Sequence, residues 1–109
     1  MGDRYCWPAH LLRVGHQMDL LAMAVGRTVK RQVVGMLLQQ LIMGTNEFTG
    51  IMLERVDYRH PLSGLRRLRE LRQAGLVNYE VVNASKSKYR ILSTLDQLAE
   101  SLRKLASKE

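Results

Sequence analysis

The spacing of apolar residues changes twice along the chain, and those changes mark its elements. Between Ala9 and Val25, Leu11, Val14, Met18, Leu21 and Val25 recur at steps of three and four, with Leu12 beside them. That spacing predicts an amphipathic helix. Pro8 suits its first turn, Gly15 weakens it, and Gly26 suits its end. Thr28 is a suitable N-cap for a second helix running to about Met43, where Gly44 stops it. Val33, Val34, Leu37, Leu38, Leu41 and Ile42 make its expected buried stripe, with Lys30, Arg31, Gln32, Gln39 and Gln40 mostly off it. A turn and a short extended piece at Phe48 follow. Thr49 can then cap a short helix through Val56, with Ile51, Met52, Leu53 and Val56 as its apolar positions. After a turn at residues 57–60, Pro61 opens a helix over 61–74 in which Leu62, Leu65, Leu68 and Leu71 recur every three residues. Gly75 is in the position of a left-handed C-cap, with Leu76 packing back after it.

Beyond this point the helical period gives way to strand composition. Residues 76–82 (LVNYEVV) and 89–92 (YRIL) are β-branched and aromatic, and the polar stretch 83–88 between them predicts an antiparallel hairpin. The chain returns to a helix over 93–109, with Leu95, Leu98, Leu102 and Leu105 as its stripe. The expected order is helix, helix, short strand, helix, helix, hairpin, helix: a mainly α fold with a small β-hairpin, α+β in class. No repeat, low-complexity run or long linker interrupts it. The expected organisation is an N-terminal arm and helix (1–28), a central domain (29–93) and a C-terminal helix (94–109).

Composition narrows the function classes. With 109 residues, 46% of them hydrophobic and 25% charged, the chain supports one globular domain with a modest core. Seventeen Lys/Arg against ten Asp/Glu give a formal charge of +7, which suits a polyanionic partner. Residues 54–90 hold nine Lys/Arg (55, 59, 66, 67, 69, 72, 86, 88, 90) and four acids (54, 57, 70, 80), so most of the excess lies in one half. That concentration favours nucleic acid over diffuse surface charge. Cys6 is the single cysteine, so no internal disulfide forms and a cytoplasmic location is expected. The N-terminus carries Asp3 and Arg4 and lacks the apolar run of a signal peptide, and no stretch is long enough to span a bilayer; no membrane partner is expected.

The most informative segment is 45–92. A short helix, a tight turn and a longer basic helix lead into Gly-Leu-Val, then a strand, a lysine-bearing loop and a second strand. LRELRQAGLV (68–77) and SKSKYRIL (85–92) carry a resemblance to the winged helix-turn-helix superfamily. They look like the end of a recognition helix entering the first wing strand, and like the wing with its return strand. The pattern is similar to the multiple-antibiotic-resistance regulator and phenolic-acid regulator families, and to winged-helix domains of phage proteins and some restriction enzymes. It covers about residues 29–93. The resemblance implies a winged helix-turn-helix with an extra helix at each end, the recognition helix 61–74 in the major groove and the wing 83–88 on the backbone or minor groove.

Residue roles follow as expectations. Ser63, Arg66 and Arg67 are the candidates for reading base edges, since arginine offers guanine two hydrogen bonds. Gln73 shares their face. Glu70 either accepts from cytosine or forms an ion pair with Arg66 or Arg67. Arg59, His60 and the helix N-terminus are expected to hold a phosphate. Arg69 and Arg72 lie nearer the leucine stripe, at its flanks. Lys86 and Lys88 would reach the backbone or minor groove from the hairpin, and Lys30 and Arg31 would add phosphate contacts from the second helix.

Other chemistries find little in the residues. Cys6, His10 and His16 (C-x3-H-x5-H) match no standard zinc spacing and lack a fourth ligand, so no metal or other cofactor is expected. No Ser/His/Asp order, phosphate-cradling glycine loop or metal-binding group of acids appears, so no enzyme activity is expected. The six methionines read as core filler. The apolar stripes of the terminal helices need cover, which a homodimer through residues 9–25 and 94–106 would provide. The leading expectation is thus a sequence-specific double-stranded DNA-binding regulator of prokaryotic or phage type. A replication, partition or nucleoid protein would share its salt-dependent binding but not its preference for one site. A winged-helix adaptor for a protein partner, such as a phage protein acting on host machinery, need not show that salt dependence.

Overall fold

Thr28 and Gly44 set the limits of the first labelled helix, α1 (Val29–Ile42), through opposite devices. The Thr28 hydroxyl accepts from the Arg31 N–H at 3.5 Å, while Gly44 takes φ +91°. There the Gly44 N–H donates to Leu41 O (3.1 Å) and the Thr45 N–H to Gln40 O (3.0 Å), closing the helix end on its last carbonyls. This is a computed structural model, and it describes Leu21, Ala22, Ala24 and residues 28–57 and 59–108. The expected arm at 1–8, Cys6, His10, His16 and nearly all of the helix at 9–25, with the dimer surface assigned to it, lie outside the described residues. Leu21, Ala22 and Ala24 are helical, and Ala24 is buried against α1, where a Cβ on Gly35 would come within 2.6 Å of the Ala24 Cβ.

After β1 (Glu47–Thr49) come α2 (Gly50–Val56), α3 (Pro61–Gln73), β2 (Tyr79–Asn83), β3 (Lys88–Ile91) and α4 (Leu95–Lys108). The described residues therefore form a mixed α/β fold of four bounded helices and one three-stranded antiparallel sheet. Its strand order is β1-β3-β2. Thr49 stands at the N-cap of α2 but makes no side-chain cap bond. Pro61 begins α3 as the sequence predicts. Gly75 ends it at φ +77°, with its N–H on Arg72 O (3.0 Å) and the Leu76 N–H on Leu71 O (2.9 Å). That turn occupies Leu76, so β2 begins at Tyr79, three residues later than the run of strand formers suggests.

One core joins these elements. Val33, Val34, Leu37 and Leu38 of α1, Phe48 of β1, Leu53 of α2, Leu68 and Leu71 of α3 and Tyr79 and Ile91 of the sheet are buried together. Phe48 pairs with Tyr89 across β1 and β3, and their rings stack at 5.1 Å; Tyr79 meets both rings edge-on. Each such pair adds to the sheet beyond the area it buries. On the opposite face the register partners Glu80 and Arg90 form an ion pair of 2.7 Å.

Leu98, Leu102 and Leu105 of α4 belong to this same core, with α4 packed on α1. Leu98, Leu102 and Leu105, expected as part of a seam between two chains at 94–106, are thus buried within one chain. Thr94 and Gln97 start α4 by a reciprocal exchange. The Thr94 N–H donates to Gln97 Oε1 (2.8 Å) and the Gln97 N–H to Thr94 Oγ1 (3.1 Å). Ser101 then donates to Leu76 O, tying α4 to the turn after α3.

Two expectations need correction. Ile51, expected on the apolar side of α2, is 59% exposed, and Leu62, expected within the α3 leucine stripe, is 71% exposed. Among the described residues no helix is long and apolar enough to cross a membrane.

Candidate nucleic-acid interface

The seating of α3 decides which of its side chains face outward. Gly64, Leu68 and Leu71 are its buried positions. At Gly64 the helix lies so close to α2 that a Cβ would stand 2.2 Å from the Leu53 carbonyl oxygen. At about 100° per residue these three positions point one way, and Leu62, Arg66, Arg69 and Gln73 fall within about 60° of arc on the opposite side. All four are exposed. The outermost line of α3 therefore runs through 62, 66, 69 and 73, and it holds two arginines between a leucine and a glutamine.

This line differs from the one read off the sequence. Arg69, expected at the flank, lies on it. Arg67 turns to the side, where its Nη1 donates to both Glu70 oxygens at 2.7 and 2.8 Å. Lys30 of α1 reaches the same carboxylate, with Nζ 3.5 Å from Oε1. Of the two roles open to Glu70, the structure therefore has the ion pair with Arg67. The Arg67 hydrogen bond, reinforced by the charges of Arg67 and Lys30, holds the Glu70 carboxyl below its usual range. Arg72 lies across the other flank with its guanidinium carbon 4.2 Å from the centre of the Tyr79 ring.

Arg59, His60, Ser63, Arg66 and Arg67 come together with Pro61 and Leu62 around a concavity of about 480 Å³ at the N-terminal end of α3. The five side chains predicted there from sequence thus share one place, although two belong to the preceding turn. Ser63 is half-buried, and its N–H is held by His60 O at 2.8 Å. A second shallow concavity follows the helix along Leu62, Leu65, Arg66, Arg69, Glu70 and Gln73.

Lys86 and Lys88 are exposed at the hairpin, Lys86 in the turn and Lys88 at the start of β3. The turn is braced from both ends. Asn83 Oδ1 accepts from Ser85 Oγ (2.8 Å) and from the Lys86 N–H (3.2 Å), and the Gly50 N–H of α2 donates to Ser87 O (2.9 Å).

Arg31 departs from expectation entirely. It is 6% exposed and so is not presented as a surface phosphate contact. Its position explains this: Arg31, Val34, Gly35 and Leu38 stand at i, i+3, i+4 and i+7, which is the core face of α1. Periodicity outweighs the charge of the side chain there.

Among the described residues, Arg66, Arg69, Lys86 and Lys88 form no ion pair, whereas the acids Glu70 and Glu80 are each held by cations of the chain itself. The surface thus carries outward cations, while Glu70 and Glu80 beside it are paired within the chain. Among the described residues no group of three or more His, Cys, Asp or Glu is placed to hold a metal. No family model, curated protein or solved structure matches the chain.

Proposed function

We propose that the chain is a winged helix-turn-helix protein that binds double-stranded DNA in a sequence-dependent way, as a small regulator of prokaryotic or phage type. The observation that carries this reading is the outward line Leu62, Arg66, Arg69 and Gln73 on α3, opposite the seat formed by Gly64, Leu68 and Leu71. A helix that lies in a major groove needs one face fixed to its domain and another free to meet base edges. The element order α1-β1-α2-α3-β2-β3 and the strand order β1-β3-β2 are those a winged helix requires, and they support the reading.

In this reading Arg66 and Arg69 each offer two hydrogen bonds to a guanine edge, Gln73 pairs with adenine, and Leu62 packs on a thymine methyl. Arg59 and His60 hold a phosphate at the start of α3. Lys86 and Lys88 of the wing contact the backbone or minor groove. These contacts divide into those that position the protein and those that read the sequence.

The test is a fluorescence-anisotropy titration of a random-sequence duplex at two salt concentrations, using the intact chain and Arg66→Ala/Arg69→Ala. Phosphate contacts release counterions, so affinity should fall steeply as salt rises. Selection from a random pool should then yield a preferred site, and the double variant should lose at least tenfold in affinity for it, since each bidentate contact discriminates by about 1–3 kcal/mol. A chain that fails to bind any duplex at low salt overturns the reading.

A further inference from the structure

The cations near α3 divide by what they touch. Arg66 and Arg69 point outward and make no ion pair among the described residues. Arg67 and Lys30 both converge on Glu70, at 2.7 and 2.8 Å for Arg67 and 3.5 Å for Lys30. Glu70 itself stands beside the outer line, lining the same shallow concavity as Arg66, Arg69 and Gln73. A carboxylate in that place faces whatever polyanion the line meets.

We infer that Glu70 is a specificity residue: it withholds Arg67 and Lys30 from the phosphate backbone and so lowers the affinity for arbitrary DNA, leaving Arg66 and Arg69 to read bases. The inference rests on the DNA-binding reading above. Its logic is that non-specific binding is almost wholly phosphate neutralisation, whereas discrimination between sites comes from base edges. A cation already bonded to a carboxylate of its own chain releases few counterions on meeting a phosphate. The carboxylate also repels the backbone directly. A protein so built gives up binding strength that every sequence shares and keeps the part that differs between sequences.

A plain helix-stabilising pair explains less of the geometry. Arg67 and Glu70 alone would be an ordinary i, i+3 pair, but Lys30 comes from a different helix and meets the same oxygen. All three side chains are more than a third exposed, a setting in which ion pairs contribute little to stability. Their effect on a passing polyanion is not limited in that way, because a phosphate approaches from the same solvent side.

The experiment compares Glu70→Gln with Glu54→Gln, which removes the same charge from an exposed position on α2 where no ion pair forms among the described residues. Random-sequence duplex is titrated over a series of salt concentrations. Glu70→Gln should steepen the dependence of log affinity on log salt by about one to two, at about 0.9 per added phosphate contact. It should raise random-duplex affinity about tenfold at low salt, with Glu54→Gln changing the slope little. Adding Arg67→Gln to Glu70→Gln should take back about one of that gain. Thermal unfolding of each variant separates a binding effect from a folding defect. Equal slopes for Glu70→Gln and Glu54→Gln, with the intact chain binding normally, overturn the inference and leave the DNA reading standing. Absence of binding by the intact chain and by every variant overturns both.

Discussion

Replacing Gly64 by alanine should loosen the seat of α3, and the size of the effect follows from one distance. The added Cβ would lie 2.2 Å from the Leu53 carbonyl oxygen, 2.9 Å from its carbon and 3.3 Å from its Cα. Each obstacle is backbone, so no rotamer change relieves the contact, and α2 and α3 must separate by about 1 Å to restore ordinary contact. Forcing an extra methyl group into a packed site costs about 1–3 kcal/mol, and a backbone obstacle puts this case at the upper end. Alanine gains about 1 kcal/mol over glycine in helix propensity, which offsets part of that. The expected net loss is therefore about 2 kcal/mol, a fall in Tm of about 10 °C for a domain of this size. Circular dichroism melts, with urea midpoints at unchanged m-value, measure it. An unchanged or raised Tm would show that propensity outweighs the contact and would refute the argument that α2 and α3 are in close backbone contact at Gly64. Because the same contact fixes which residues of α3 face outward, the proposed DNA binding, if the intact chain shows it, should also weaken in the variant at temperatures where it remains folded.

Other perturbations reach different parts of the chain. Thr94→Ala removes one half of the exchange that starts α4 and should cost about 1 kcal/mol, read from urea midpoints; no change would mean that water replaces the cap. Leu102→Ala, at a fully buried position, should cost about 2–5 kcal/mol. Glu70 has a carboxyl held below its usual range by Arg67 first and Lys30 second, so its small stabilising effect is present above the ordinary carboxylate range and is lost as pH falls through the lowered value. Side-chain carbon NMR should find its titration displaced to acid, and Arg67→Ala should bring it back towards the ordinary range.

The helices were legible because caps and breakers coincide with changes of period. Thr28, Gly44, Pro61 and Gly75 each stand where the sequence predicts, because each answers a backbone requirement that depends on few neighbours. The face of α3 was harder to read for a geometric reason. Leucines spaced by three drift by about 60° at each step, so Leu62, Leu65, Leu68 and Leu71 wind through half the circumference rather than forming one stripe. Taking their mean direction as the buried side turns the outer face towards Arg67 and Glu70. Gly64 is the signal that corrects it, since a buried glycine inside a basic helix marks the point of closest approach. The ion pairs depend on which helices become neighbours, so the contact of Lys30 with Glu70 had no signature in the local sequence. Arg31 defies a reading by charge, because its place at i−3 and i−4 from Val34 and Gly35 sets it on the core face.

The bond from Gly50 to Ser87 has a consequence for the thermodynamics of contact. A long, free-standing hairpin must be ordered when its lysines meet a partner, and the lost conformational freedom subtracts from affinity. Here the turn carrying Lys86 is fastened at Asn83 on one side and to the first turn of α2 on the other, so its backbone is already confined before any partner arrives. Only the lysine side chains remain to be ordered. The Gly50 amide should accordingly exchange with deuterium as slowly as its neighbours in α2, and the hairpin should move with the helices as one body.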